Sequence, residues 1–501
     1  MLRRLRVPPT DVLAGVSVAL VLVPQALAYA ELAGLPAHHG LYAAALAPIA
    51  AAVFASSPAL QTGPTAMSAV LVFAALAPLF PTGTPTYAAA AALLALLVGA
   101  IRIGLGALHA GGLAYALSGP VLRGFTWGAG ILITASQLPG ALGVAPEGTR
   151  LLARAAAALR DPGSWHLGAL ATAVVVVAAL RLGRRLAPRF PTVLAVAAVG
   201  TLVSALAPGA LGPTVGTVPA GFPLPDLALP WRAAPDLILG ALVIAIVGFA
   251  EPTAIARRYT RPGQRWDPNR ELLGQGLANL VVGLVRGMPV GASFSRSALH
   301  QELGASTRFG AVVTGLTVLA LIPAAPLLAD LPRAVLAAVV LVAVSDLVRW
   351  GPVADLWRFG KLQATTAAAT AALTLALEPR VDLAVVIGVA LSVALHLGRE
   401  GQLRATVATD GAGGRVVVYG TLWFANAPRL QGEVRAAWLE HRAVERWVID
   451  LTQVGRVDVD AALALGALRA EAGTVGVTLE IHGGDPRTDE RLARYAQRAV
   501  R

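Results

Sequence analysis

The residues with the most chemistry lie between Arg286 and Leu299, where RGMPVGASFSRSAL separates two long apolar runs. Gly287, Pro289, Gly291, Ser293, Ser295, Ser297 and two arginines have no partners in hydrocarbon, where unpaired backbone groups and guanidinium charges are strongly disfavoured. The stretch must face protein or water. Gly291 to Ser293 predict an irregular turn and cap. Phe294 to Glu302 predict a short helix whose free N–H groups and positive dipole end point into the membrane interior. Arg296, in the first turn, adds a full positive charge to that partial one. A carboxylate, sulfate or bicarbonate is the natural occupant. Taken alone, the stretch fits a loop with a snorkelling arginine at least as well, so the rest of the chain has to decide.

An earlier stretch has the same build. Gln61 to Ser68 reads QTGPTAMS, with Gly63 as turn, Pro64 at the first helical position and Thr65 as an early hydroxyl. Gln25 precedes Thr65 by 40 residues, and Glu251 precedes Ser293 by 42. In each half, a polar residue in one apolar segment is followed at nearly equal distance by a short, Gly/Pro-interrupted helix. Two half-helix N-termini from opposite sides would then meet near mid-membrane, both positive ends inward.

A carboxylate at Glu251, followed by Pro252 among Leu, Val, Ile and Ala, must be paired, hydrated or protonated. The functional reading makes it a proton carrier; the bland one is a static salt bridge to Arg296. Glu31, at the far end of the first segment, is a second proton-coupling candidate, equally consistent with a solvated interfacial acid. Gln25, Ala28, Tyr29 and Thr65 are expected on the wall opposite Ser293, Phe294, Ser295 and Arg296, an amide and a phenol suiting a polar substrate without adding charge. Tyr29 equally fits an interfacial aromatic belt. Arg123 and Arg286 read as snorkelling or structural. His38, His39, His109, His300 and His396 lack ligand spacing, so no metal and no cofactor is expected.

The elements that must position these groups are membrane helices. The chain has 501 residues, 56% hydrophobic and 14% charged, with a mean hydropathy of +0.68, which marks a polytopic membrane protein. Its net charge of +12 is nearly all arginine, Lys361 being the only lysine. The arginines cluster in short loops, which reports membrane topology and argues against a nucleic-acid partner. The absence of cysteine excludes disulfides, thiolate metal sites and thiol catalysis. Asp11 to Leu32 run too long and carry too many polar residues for a cleaved leader, so this segment is expected to stay.

Fourteen apolar segments follow one another: 11–33, 40–55, 65–80, 87–101, 118–138, 167–180, 192–207, 235–254, 272–285, 295–303, 309–329, 333–345, 362–377 and 381–397. Several fall short of the roughly 20 residues of a straight span, as broken helices do. Arginine-rich loops at 181–189, 257–270 and 345–361 lie on the side of Met1 to Arg6, which predicts cytoplasmic termini. The loop 140–165, with Arg150, Arg154 and Arg160, dissents. Seven segments precede the Pro- and Gly-rich connection 208–235 and seven follow it, and an odd number inverts the second half, giving repeats at about 11–208 and 235–398. Beyond residue 398 the composition turns ordinary. Strands at 404–409, 416–420, 446–451 and 477–481 alternate with helices at 428–441, 458–472 and 485–500, a small α/β domain over 399–501.

The ordered motifs Val23 to Pro36 (VPQALAYAELAGLP), Gly40-Leu-Tyr42, Gly63-Pro-Thr65, Gly248-Phe-Ala-Glu251, Asp267 to Leu272 with Asn279, and Ser293-Phe-Ser-Arg-Ser297 resemble the sulfate permease (SulP) family of anion transporters. The tail is similar to the STAS domain of that family through Gly420 to Asn426, Ile449-Asp450 and Val457-Asp458. The resemblance covers nearly the whole chain. It implies a homodimer, a core domain (spans one to four and eight to eleven) moving against a gate domain (five to seven and twelve to fourteen), and substrates among sulfate, bicarbonate, chloride and small dicarboxylates such as fumarate. An acid at the place of Glu251 is typical of proton-coupled members. One departure is that Asp460 stands where related antagonist domains carry a phosphorylatable serine.

The expected protein is a non-enzymatic, proton-coupled anion symporter in the plasma membrane, working by alternating access. Its expected partners are a small inorganic or organic anion, protons, membrane lipids and a second copy. The rival readings are an uncoupled anion exchanger or channel, and a membrane sensor signalling through the tail.

Overall fold

The computed structural model describes residues 7–483 except 116–117, 188–189, 223, 261–264, 346–347, 349–354, 359, 401–402 and 411–412. Met1 to Arg6, Arg189, Arg261, Arg349 and the helix expected over 485–500 lie outside the described residues. The chain divides into two compact units, Met1–Val389 and Ala390–Arg501.

Every one of the fourteen apolar segments carries a helix: α1 Pro9–Leu32, α2 His38–Phe54, α3 Ala66–Leu76, α4 Pro85–Ala107, α5 Gly119–Leu142, α7 Leu167–Leu186, α8 Thr192–Leu206, α9 Ala234–Tyr259, α10 Pro268–Leu284, α11 Phe294–Glu302, α12 Phe309–Leu321, α13 Arg333–Val344, α14 Lys361–Ala376 and α15 Val381–Glu400. Among the described residues six helical stretches are long and apolar enough to cross a membrane. The loop 140–165 is not plain loop: it holds a further amphipathic helix, α6 Leu151–Arg160. Its first amides, those of Leu151 and Leu152, donate to the carboxylate of Glu378, which satisfies a helix start that its own N-cap, Arg150, leaves open. The dissenting arginines thus belong to a helix held by an acid from the other repeat.

Packing follows an internal two-fold pattern. α1 packs on α12 as α9 packs on α4, α2 on α12 as α10 on α4, α3 on α9 as α11 on α1, and α7 on α13 as α14 on α5. Each pair of contacts is one contact seen from both repeats, as inverted halves require. Backbones approach closely where side chains vanish. A Cβ at Gly99 of α4 would sit 2.8 Å from the Gly276 carbonyl oxygen of α10, and one at Gly276 would sit 3.0 Å from the carbonyl oxygen of Gly99. Such small-residue seams are how membrane helices associate where lipid offers no hydrophobic drive.

The second unit holds a four-stranded sheet in the order β3-β4-β5-β6 (Arg404–Thr409, Gly414–Leu422, Arg446–Val457, Thr478–Gly483). β3 and β4 pair antiparallel; β4 with β5 and β5 with β6 pair parallel. Helices α16 Ala427–Glu440 and α17 Val459–Thr474 bury Leu430, Val434, Leu465 and Leu468 in one core with Val416, Val418, Ile449 and Trp447. β4 and β5 run further than the sequence pattern suggests, because bulges at 417/419 and 420/421 let pairing continue past the alternating stretch.

Candidate functional site

The two interrupted spans meet. Thr62–Gly63 (β1) pairs antiparallel with Gly291–Ala292 (β2), Gly63 opposite Gly291 and Thr62 opposite Ala292. The link continues outward: the amide of Ser293 donates to the Gln61 carbonyl at 3.1 Å, and the Gln61 amide to Ser297 Oγ at 3.0 Å. Backbone groups that could not be left bare in a membrane are therefore satisfied by the opposing repeat.

From this crossing the half-helices run apart. α3 starts after Thr65, whose Oγ1 accepts from the Ser68 amide at 3.1 Å and donates to Ser68 Oγ at 3.0 Å. Pro64 consequently lies outside the helix, one place before the cap and not at the first helical position, because the Thr65 hydroxyl claims the cap. α11 starts at Phe294 as expected, but its N-cap Ser293 makes no side-chain cap hydrogen bond. Ser293 Oγ lies 3.2 Å from Ser295 Oγ instead, so the first N–H groups of α11 have no acceptor from the cap side chain.

Arg296 sits in that uncapped turn. It is 1% exposed, and Nη1 donates to Gln25 Oε1 at 3.4 Å while Nε and Nη2 have no partner. Its guanidinium lies over β1: a Cβ on Gly63 would come within 3.4 Å of Nη2. No ion pair joins Arg296 to Glu251 among the described residues, so the static salt bridge is not what is seen. Tyr29, Glu251 and Arg296 nonetheless lie within electrostatic reach of one another. Tyr29 is 4% exposed inside the helix core, which removes the interfacial-belt reading.

Ala28 and Gln25 are buried on α1, and Thr65 at the start of α3. Phe294 is 39% exposed and Ser295 is exposed, so the first turn of α11 opens on accessible space. Glu251 is partly exposed within α9, where Pro252 leaves the Gly248 carbonyl without its helical donor. That oxygen lies 3.6 Å from where a Cβ on Gly291 would stand. Glu31 stands apart from this group: its carboxylate pairs with Arg333 Nε at 3.5 Å. Arg286 is structural, with Nη2 on Asp226 Oδ2 at 2.7 Å and its carbonyl bonded to His39 Nδ1.

Of the residues that support the site, Arg102 and Gln275 escaped the sequence reading, while Glu271 and Asn279 entered it only as motif residues without a role. Arg102, fully buried on α4, donates from Nε to Ala245 O (3.2 Å), from Nη2 to Ile244 O (3.0 Å) and from Nη1 to Val290 O (3.0 Å). One side chain thereby ties α9, just before Glu251, to the approach of β2. Asn279 copies a strand neighbour: its Oδ1 accepts from the Val290 amide at 3.0 Å, and Nδ2 donates to the Val290 carbonyl at 3.2 Å. Gln275 donates to Thr62 Oγ1 at 2.8 Å, and Glu271 accepts from the amides of Ser56 and Ser57. α10 is thus a polar rail for both broken spans. Arg102 follows immediately after an apolar run and looks interfacial; only its carbonyl partners, far along the chain, reveal its role.

The sulfate permease family pattern matches residues 9–370, and a STAS-domain pattern (Mlab, STAS domain) matches 405–496. The chain belongs to the sulfate permease family. A Mycobacterium tuberculosis protein named "Probable sulfate transporter Rv1739c" is 36% identical over 371 residues, 72% of this chain and 66% of that protein. Human "Solute carrier family 26 member 6" is 30% identical over 380 residues, 70% and 50% of the two chains. The chain thus spans less than two thirds of the length of these relatives. Among solved structures, the murine Slc26a9 anion transporter in its inward-facing state superposes with a TM-score of 0.89 at 22% identity, over 98% of this chain and 88% of that one. The transmembrane domain of a cyanobacterial bicarbonate transporter, BicA, superposes with a TM-score of 0.65 at 25% identity, over 78% and 98%. The family is one of permeases, and its fold is the α-helical membrane fold followed by a small α/β STAS domain.

Proposed function

We propose that the protein is a secondary active transporter that carries a small anion together with a proton by alternating access. The observation that carries this reading is Arg296: a fully buried guanidinium with two nitrogens unpartnered, at the uncapped start of a half-helix, beside an antiparallel crossing of two inverted repeats. An unpaired buried charge is strongly unfavourable, so a ligand anion bound by Arg296, the α11 N–H groups and the Thr65 side is the partner that completes the site.

Gln25, Ala28, Tyr29, Gly63 and Thr65 form one wall and Ser293, Phe294, Ser295 and Arg296 the other. Glu251, near enough to Arg296 to interact with it, loads the proton, so that anion and proton cross with reduced net charge. The core (α1–α4, α9–α12) moves against the gate (α5, α7, α8, α13–α15). The transport domain spans 1–398 and the STAS domain 399–501. The relative named "Probable sulfate transporter Rv1739c" favours sulfate; bicarbonate and four-carbon dicarboxylates fit the same chemistry. The protein works as a homodimer in the plasma membrane, its N-terminus and STAS domain cytoplasmic.

The test is uptake into proteoliposomes, with sulfate, bicarbonate and succinate in competition at two external pH values. Uptake stimulated by an inward proton gradient and made pH-independent by Glu251→Gln is expected. Identical pH profiles for that variant and the wild type would remove the proton role.

A further inference from the structure

An open cavity of about 600 Å³ is lined by the buried Ala28 and Phe73 and by the more exposed Glu31 and Arg333. Its charged lining is Glu31, Arg154 and Arg333, one acid against two arginines. Arg333 is the first residue of α13, whose N-cap Pro332 offers no side-chain acceptor, so a cation stands at the positive end of a helix dipole. That placement is unfavourable without a nearby anion. Here the anion is Glu31, held by a single contact of 3.5 Å between half-exposed and quarter-exposed side chains, a pair of little stability in itself. The backbone beneath it is fixed: the Arg333 amide donates to the Pro213 carbonyl at 2.9 Å, and Val215 and Gly216 donate to the carbonyls of Leu331 and Ala329. Arg154 uses Nε on the carbonyl of Pro146 and has no carboxylate of its own among the described residues. The neighbouring pocket at Arg286 differs, because Asp226 holds Nη2 of that guanidinium in a much shorter contact, 2.7 Å, with Nε left over.

Resting on the transport reading, we propose that this cavity is an antechamber for the transported anion. Arg333 and Arg154 collect the anion at the face where α1 ends, and Glu31 stands in for it when the chamber is empty. An arriving anion displaces Glu31 from Arg333 and passes along α1 to Ala28, which belongs to both the chamber lining and the candidate site wall. Glu31 is then a competitor for the anion, and its removal and that of Arg333 have opposite effects on capture.

The experiment measures transport of the anion from each face of oriented proteoliposomes at several ionic strengths, with anion binding to the full chain in detergent by calorimetry. At the α1-end face Arg333→Gln is expected to raise KM roughly three- to tenfold, with kcat little changed and a flatter ionic-strength dependence, as for loss of a focusing charge. Arg333→Lys restores most of the effect, and Glu31→Gln lowers KM roughly twofold. The KM at the opposite face stays at the wild-type value. Equal shifts at both faces, or the same direction of change in the Glu31 and Arg333 variants, overturn the antechamber. Wild-type protein that binds and transports an anion while all three variants match it overturns the antechamber alone; wild-type protein that binds no anion overturns the transport reading with it.

Discussion

Replacing Arg296 with glutamine separates what the empty protein needs from what the anion needs. In the empty site the guanidinium is buried with one long hydrogen bond, to Gln25 Oε1 at 3.4 Å, and two idle nitrogens. Removing an uncompensated buried charge relieves desolvation, so the ligand-free Arg296→Gln protein is expected to be more resistant to heat, by roughly 2–4 °C for about 1–2 kcal/mol. The anion-loaded protein behaves oppositely. Nε and Nη2 can each donate a charge-assisted hydrogen bond worth about 1.5–3 kcal/mol. Loss of both amounts to about 3 kcal/mol or more, roughly a hundredfold or greater in Kd. The assay is thermal unfolding in detergent over a series of anion concentrations, with calorimetry for Kd. Wild-type protein gains about 2.7 kcal/mol at a hundred times its Kd, whereas the variant gains almost nothing at that concentration. A variant that binds the anion within threefold of wild type refutes the reasoning, and so does one that is less stable when empty yet keeps the full anion-induced shift.

Three other expectations follow from particular contacts. Arg102→Met removes three hydrogen bonds to the carbonyls of Ile244, Ala245 and Val290; it should lower stability by about 3 kcal/mol, with Arg102→Lys only a partial rescue because a single ammonium cannot span that fork, read as melting temperature in detergent. Gly40→Ala places a methyl 2.0 Å from the Ala26 carbonyl oxygen and should force α1 and α2 apart, costing about 1–3 kcal/mol or more and reducing the yield of folded protein in size-exclusion chromatography. In the STAS domain, the hydroxyl and then the amide of Thr452 hold the Asp450 carboxyl below the usual carboxylate range. A carboxyl with a depressed folded pKa adds stability above its unfolded pKa and loses it as pH falls through the folded one. Asp450→Asn should therefore weaken the domain at neutral pH and leave it less sensitive to acid below about pH 4, checked by hydrogen exchange of β5 in the full chain.

The long spans, the seven-plus-seven count and the alternation of the tail as far as β6 were legible because each depends on local hydrophobic period and length. The short helix from Phe294 to Glu302 was legible to the residue, since Gly291 to Ser293 leave no other start. What the sequence did not disclose are partners chosen by three-dimensional crossing. Arg102 finds its acceptors on α9 and before β2, Glu378 caps α6 from the opposite repeat, and Glu31 meets Arg333 across helices α1 and α13. Pro64 falls outside α3 for a related reason: whether proline or threonine begins the helix depends on where Thr65 Oγ1 finds a donor, and Ser68 supplies it.

The two halves share a frame but not a chemistry. Antiparallel pairing of Gly63 with Gly291 puts the pseudo-two-fold between those glycines, and the same spacing carries Thr65 onto Ser293 and Ser68 onto Arg296. In the first repeat the cap is closed, because Thr65 and Ser68 satisfy each other. In the second the cap serine meets Ser295 and caps no helix amide, and the equivalent of Ser68 is a buried guanidinium with unused donors. The first repeat is therefore self-sufficient where the second is incomplete. On the proposed reading, charge on one side only lets a single anion neutralise the site, whereas a symmetric pair of arginines would leave one unpaired in the membrane interior. A Ser68→Arg variant should accordingly fold poorly, and adding Arg296→Ser to it should restore folding by moving the charge to the other half. Failure of that double substitution to rescue expression would mean that the asymmetry belongs to the surrounding helices and not to these two positions.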